Sequence, residues 1–385
     1  MHKSRVFRPN TRLASSFALC AGMLMGCAEP VAGPGSYGQD VGRAANLSDP
    51  SVGATIQVGA GWTARSALPA ATSHFSAASV GGLLYVFGGA DPTNAPTRAT
   101  RSLNPSSGVW TTLAQLPGPR ADQDGATAVG NVIYVPGGRN AAGAWTRSLY
   151  AYNTSSNTWT TLAPMPAVGG CGGSVAIGNS IYVGHGCSAS GSPASDFYRY
   201  DIATNTWTTL PIPVDFKQFA SMFVLSGKIY WIGGATNGGV ESNAEAFDPA
   251  TNSWSGRGFL PRLVEGFAAG VVRGVAVFSA GTSGSGIYTE TSYYDAAVDT
   301  WRPTQAITSG RSFPAAAVLN NEFYVFGGLG SNGLPVTAVE SYHLGDAWVT
   351  MAPMPTARGY HAAASINGVT YVAGGRLAAP TRRTR

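Results

Sequence analysis

The 385 residues carry few charges, 11% Asp, Glu, Lys and Arg, and their formal net charge of +5 misleads. Lys3, Arg5, Arg8 and Arg12 precede the first acidic residue, Glu29, so from Cys27 onward 20 basic residues (24 − 4) face 19 acidic ones. A near-neutral chain without a basic stripe excludes a nucleic-acid binder, and 44% apolar residues exclude wholesale disorder.

Residues 1–26 read as an export signal. Four basic residues precede an apolar run from Leu13 to Gly26, which falls short of the roughly 20 residues a spanning helix needs. The run ends in Leu24-Met25-Gly26-Cys27, which resembles a bacterial lipobox. The resemblance implies that Cys27 is lipidated and that the chain is held in the bacterial cell envelope. The alternative is an ordinary cleaved signal, with Cys27 incidental. Each buried acyl methylene adds roughly 0.8 kcal/mol, so several acyl chains anchor stably. Ala28 after the cysteine resembles outer-membrane lipoproteins, so the outer membrane or the cell surface is the expected location. Residues 27–53 hold Gly, Pro, Ala, Ser and Asn without an apolar period and read as a flexible tether.

From residue 54 the chain is periodic. Glycine pairs begin at 88, 137, 233, 327 and 374, with degraded copies His185-Gly186 and Ala280-Gly281 filling the gaps. Tryptophans 62, 110, 159, 207, 254, 301 and 348 keep the same period of 47 to 49 residues. A turn dipeptide such as Gly81-Gly82, Gly130-Asn131 or Ser226-Gly227 ends six residues before each pair. An aromatic (Tyr152, Tyr200, Phe247, Tyr294) stands seven residues before most tryptophans. Each repeat therefore reads as strand a, a tight turn, strand b ending in the doublet, a variable loop, strand c, a turn, and strand d with its indole. Such a sheet cannot cover both of its own faces, and stacking the copies around an axis does so.

A period near 50 with a glycine doublet resembles the kelch-repeat family. The resemblance implies an all-β, seven-bladed kelch-type β-propeller of four-stranded antiparallel blades over 54–376, followed by a basic tail, 377–385. The chain enters at 55–66 with only a c–d pair and leaves at 358–375 with only an a–b pair. N-terminal strands about 55–66 are therefore expected to complete the last blade with strands about 358–375, which removes the open edge; the alternative is a six-bladed ring with loose ends or a truncated reading frame.

Cys171 and Cys187 flank the Gly178-Asn179 turn at nearly equal distances, which places them opposite each other in a hairpin. A disulfide is expected, with two free thiols as the alternative. The mature histidines form no metal-binding pair, and no catalytic constellation stands out. No catalytic residue, metal or cofactor is assigned.

The residues opening strand a recur around one mouth of the channel. They include His74, Arg120, Asp122, Asp124, Lys217, Gln218, Glu265, Arg311, Arg358 and His361. A polar ligand is one reading for His74, Arg120, Asp122, Lys217, Glu265, Arg311, Arg358 and His361. The other is structural, because arginine at this place is part of many kelch repeats. Trp145 stands outside the repeat register, as an exposed anchor or a local packing residue, and Trp231 within strand b is expected in the core. The expected function is a membrane-anchored, monomeric binding module for a protein or a glycan. The alternative is a carbohydrate-active enzyme using the mouth residues, similar to sialic-acid mutarotases of this repeat type or, more distantly, to galactose oxidase.

Overall fold

A computed structural model describes Pro69 and residues 75–377, apart from scattered positions within that range. The leader with Cys27, the tether, His74, the 55–66 strands and the tail beyond 377 lie outside the described residues.

Among the described residues there is no helix, and six complete antiparallel sheets follow one another in chain order. Blade 1 is Ser76–Val80, Leu83–Phe87, Thr100–Asn104 and Val109–Thr112. Blade 2 is Thr127–Val129, Val132–Pro136, Leu149–Asn153 and Thr158–Thr161. Blade 3 is Gly173–Ile177, Ser180–Gly184, Phe197–Asp201 and Thr206–Thr209. Blade 4 is Ser221–Leu225, Lys228–Ile232, Ala244–Asp248 and Ser253–Arg257. Blade 5 is Ala268–Val272, Val275–Ser279, Thr291–Asp295 and Thr300–Thr304. Blade 6 is Ala315–Leu319, Glu322–Phe326, Val339–His343 and Trp348–Thr350. Blade 7 shows its a–b hairpin, Ala362–Ile366 and Val369–Ala373. The a strands of successive blades touch in cyclic order, and that of blade 7 meets Ser76–Val80 of blade 1. The result is a β-propeller.

The hairpin chemistry follows the turn residues. Gly81-Gly82, Ser226-Gly227 and Arg273-Gly274 take positive φ at both positions, whereas Gly130-Asn131 and Gly178-Asn179 do so at the glycine alone. These are the two primed turns that match strand twist. The aromatic seven residues before each tryptophan is its cross-strand partner: Tyr152 faces Trp159, Tyr200 faces Trp207, Phe247 faces Trp254 and Tyr294 faces Trp301. The indole also reaches the neighbouring blade. Trp159 lies edge-on to Phe87 of blade 1 at 5.4 Å, and Trp254 lies 5.0 Å from Phe197 of blade 3. Trp231 is fully buried in this packing, as its strand position requires.

A polar latch accompanies the indoles of blades 2 and 3, whereas Trp301 Nε1 of blade 5 has no hydrogen-bond partner among the described residues. The backbone of Ala114, leaving blade 1, gives its N–H to Asn157 Oδ1 and its carbonyl to Trp159 Nε1–H, both in blade 2. Ala163 repeats the pattern one blade on with Asn205 and Trp207. Asn157 and Asn205 sit at positive φ in the c–d turn, a conformation that asparagine tolerates, and each also accepts a tyrosine hydroxyl.

The glycine doublet closes the blades on the inside. Gly89 N–H donates to the Arg120 carbonyl of the next blade at 2.7 Å. Gly88 sits at φ +62, and a Cβ there would come within 2.4 Å of that same oxygen. Only glycine allows the approach.

Candidate functional site

Past each doublet the chain does not wander. It pairs back onto the residue that precedes strand a of the same blade: Ala121 with Arg139, Gly170 with Cys187, Gln218 with Ala235, Glu265 with Thr282, and Ser312 with Leu329. Arg358–Gly359 pairs in the same way with Arg376–Leu377. The b–c loops fold into small ribbons over these rungs, such as Ala235–Thr236 with Gly239–Val240 and Thr282–Ser283 with Gly286–Ile287. Together they form the mouth of the channel.

Beneath the rungs lies a belt of equivalent residues, one in each of blades 2 to 6. Asp122, Cys171, Phe219, Gly266 and Phe313 have φ of 56, 48, 60, 54 and 51°. The left-handed turn points each amide along the ring. Cys171 N–H donates to the Asp122 carbonyl, Gly266 N–H to Phe219, and Phe313 N–H to Gly266, so the belt is stitched from blade to blade. Left-handed non-glycine residues cost on the order of 1–3 kcal/mol each, and such strain clusters at functional sites.

The expected cationic residues have a different duty. Arg120 is buried; it donates to Ser148 Oγ, to the Tyr150 hydroxyl and to the Pro119 carbonyl, and its guanidinium lies 5.0 Å from the Tyr150 ring centre. Lys217 Nζ stands 3.3 Å from Glu245 Oε2 and 3.3 Å from the Asn243 carbonyl. Arg311 pairs with Glu340 and donates to the carbonyls of Ala338 and Ser309. In every case the partner lies on strand c of the same blade. Tyr150, Glu245 and Glu340 occupy one repeat position, so the acid appears where the cation needs it. Burial lowers the pKa of Lys217 despite Glu245, and brings Arg311 down to about 10 despite Glu340. These are internal clamps. Arg358 donates to the Gly374 carbonyl, and the c strand that would clamp it falls outside the described residues.

Blade 3 lacks the cation, with Gly169 in its place. His185, in turn, replaces the first glycine of the doublet. The substitutions fit each other, because a Cβ on Gly169 would lie 2.4 Å from the His185 ring. The imidazole Nδ1 sits 2.8 Å from Asp124 Oδ2, and Asp124 Oδ1 accepts the Gly172 N–H. Burial by itself lowers the His185 pKa, but Asp124 raises it, helped by Asp196, and the net shift is upward. Beside this pair the Cys171–Cys187 disulfide spans a Cα–Cα distance of 5.6 Å and ties the belt to the mouth rung. His361 is buried in blade 7.

Two acids stand apart from the clamps. Asp122 is fully buried in the belt. Its Oδ2 accepts from Arg139, its Oδ1 has no hydrogen-bond partner among the described residues, and burial outweighs Arg139 to push its pKa up to about 7. Glu265 is half-buried on the blade 5 rung. Burial alone pushes it up to about 7, and no positive charge offsets it. Trp145 is half-buried and packs on Gly170, where a Cβ would meet its ring at 2.3 Å, so it serves local packing rather than standing free. Among the described residues no three His, Cys, Asp or Glu gather as a metal site requires.

The belt phenylalanines and Arg139 are the site residues that motif reading misses. The signal was available: aligning the repeats puts 122, 171, 219, 266 and 313 in one column, with a glycine among them. A column that admits glycine marks a backbone position of positive φ.

The class of protein is thus a β-propeller whose blades are clamped from strand a to strand c. The sequence matches the model of the KLHDC2/KLHL20/DRC7 Kelch-repeats domain over residues 61–216 and 163–328, and the Kelch motif over 310–355. The chain belongs to the kelch-repeat family. Among solved structures it resembles the one titled "Structure of YjhT", at 18% identity and a TM-score of 0.57, over 74% of this chain and 99% of that one. That likeness shows the fold alone. Comparison with curated proteins finds no match.

Proposed function

We propose that this propeller is a binding module that recognises a glycan or protein ligand at the channel mouth, outside the cytoplasm, while a lipid on Cys27 holds it to a membrane. The observation that supports the mouth is its strained belt, roofed by ribbons that differ in every blade. Variable segments on a rigid ring are where recognition is usually built. The disulfide fits an oxidising compartment, and the leader fits export. The purified protein is expected to bind a defined set of structures on a glycan array, and mass spectrometry of its N-terminus to find an acylated Cys27. An unmodified Cys27 removes the anchor from the proposal.

One observation favours the alternative, a carbohydrate-active enzyme. Glu265, titrating at about 7, has the proton affinity that a general acid or base needs at neutral pH. Arg120 and Arg311 do not serve that reading, since their guanidinium groups are already engaged. Steady turnover of a sugar by the parent, abolished in Glu265→Gln, replaces the binding module with the enzyme.

A further inference from the structure

The mouth is not uniform around the ring. On the side of blades 2 and 3 its polar groups are paired, as Asp122 with Arg139 and Asp124 with His185. On the side of blades 4 to 6 the belt is aromatic. Phe219 and Phe313 are both half-buried, with ring centres 6.1 Å apart and planes at 73°. They meet across blade 5, where the belt residue is Gly266. A Cβ there would lie 2.0 Å from the Phe313 ring, so glycine is what lets the two rings approach. Leu329 completes the apolar wall.

Glu265 is the residue next to Gly266. The same position one blade earlier is Gln218, whose side chain reaches Cys187 of blade 3 at 3.8 Å. By the repeat, the residue across from Glu265 is Ala235, which has no group to offer. The carboxyl group therefore keeps its hydrogen-bonding capacity, on the residue next to the glycine over which the two rings meet. Nearby Arg262 does not answer it; that guanidinium pairs with Glu290 and lies 4.5 Å from the Tyr288 ring centre.

We infer that the mouth between blades 4 and 6 takes an ammonium group, with the Glu265 carboxylate receiving its charge and the Phe219–Phe313 pair covering its apolar side. A carboxylate with no cation of its own attracts a positive ligand, and aromatic faces add cation–π attraction. An anionic sugar finds no free cation on this side of the described mouth. The shared chemistry is a small ammonium ligand, either an alkylamine or an amino sugar. The inference rests on the proposed binding role of the mouth and narrows it.

The test is calorimetric titration of the purified mature protein with propylammonium, glucosamine, N-acetylglucosamine and glucuronate, alongside Glu265→Gln and Phe313→Leu. At least one of the two amines is expected to bind at least tenfold more tightly than N-acetylglucosamine and glucuronate. Glu265→Gln is expected to lose that preference while remaining folded with a cooperative melting transition, and Phe313→Leu to weaken amine binding severalfold. Binding of glucosamine alone identifies the amino sugar as the source; equal binding of propylammonium identifies the bare ammonium. Equal affinity for acetylated and free amine, or an unchanged Glu265→Gln, overturns the inference. If neutral glycans bind at the mouth and amines do not, the mouth remains a binding site and this inference alone fails. If the folded protein binds neither amines nor any glycan or protein offered, both fail.

Discussion

Blades 3 and 6 solve one problem with different groups. Each must hold the entry to strand a against strand c of the same sheet. Blade 6 uses a buried guanidinium, Arg311, against Glu340, and the second oxygen of Glu340 accepts the Thr308 N–H at 2.6 Å. Blade 3 deletes the cation, fills the space with His185, recruits Asp124 from blade 2, and adds a disulfide. The difference teaches that the cation is a structural clamp. Blade 5 drops it too and puts the buried Val264 in its place; if the cation served a ligand, the blades that lost it would not need substitutes packed there.

The clamp of blade 6 is where the largest effect is expected. Arg311→Met leaves Glu340 buried and charged, which costs about 3–5 kcal/mol. The denaturant midpoint should fall accordingly, and a second change, Glu340→Gln, should recover part of the loss. An Arg311→Met protein as stable as the parent breaks the comparison, because the guanidinium would then not be structural.

Blade 3 offers the reciprocal experiment. Gly169→Arg alone places a Cβ 2.4 Å from the His185 ring and should destabilise by about 1–3 kcal/mol. Adding His185→Gly restores the glycine and frees the volume, so the new arginine can reach toward Tyr198, which holds the repeat position of Tyr150 on strand c. The double variant should be more stable than the sum of the losses of Gly169→Arg and His185→Gly allows, the non-additivity expected of two side chains that compete for one space. Additive losses would separate the two positions.

The disulfide comes next. Cys171 and Cys187 are 16 residues apart, so their link should contribute about 3 kcal/mol in the chain-entropy model. Reductant, or Cys171→Ser with Cys187→Ser, should lower the unfolding free energy by that amount, read as a fall in the denaturant midpoint. The same reductant should leave the double-serine variant unchanged.

How much of this was legible follows from what repeats. The doublets, indoles and turn dipeptides recur because every blade meets the same packing problem, and their spacing yields strand order and the Tyr152–Trp159 type of pairing directly. The cysteine pair was legible because two positions beside one hairpin turn must come close. The duty of Arg120, Lys217 and Arg311 was not, because their partners lie some thirty residues ahead on strand c. Only aligning Tyr150, Glu245 and Glu340 in one column brings out the match. The belt was harder still. Nothing in Phe219 or Phe313 as a residue type announces positive φ; only Gly266 in the same column hints at it. Exchanges such as Gly169 for a cation and His185 for glycine read as decay until their side chains are placed in the same space.

The smallest expected effect, a slope with pH, sharpens the comparison most finely, because blade 3 holds with a titrating group and blade 6 does not. The His185 pKa is raised above its ordinary 6.5, so the folded state binds that proton more tightly than the unfolded chain does. Its contribution is present in full below 6.5 and is lost as pH rises through the folded value. Asp122 and Glu265 act in the same direction at lower pH. Each is pushed up to about 7, from 3.8 and 4.5, so folding favours their protonated forms and stability drains as pH climbs toward 7. The contribution of these three groups should therefore fall as pH rises to and through neutrality, while the lowered pKa values of Asp201, Asp248, Asp295 and Glu290 act the opposite way at the acid end. Arg311, at about 10, adds nothing to the slope in that range. Glu265→Gln should remove part of the slope that ends near 7, and Asp124→Asn part of the slope above 6.5, leaving the rest intact. Denaturant midpoints measured at half-unit pH steps decide it: a parent that grows more stable through neutrality, or an Asp124→Asn variant with an unaltered profile, would mean that His185 does not carry a proton in the fold and that blade 3 holds by packing and its disulfide alone.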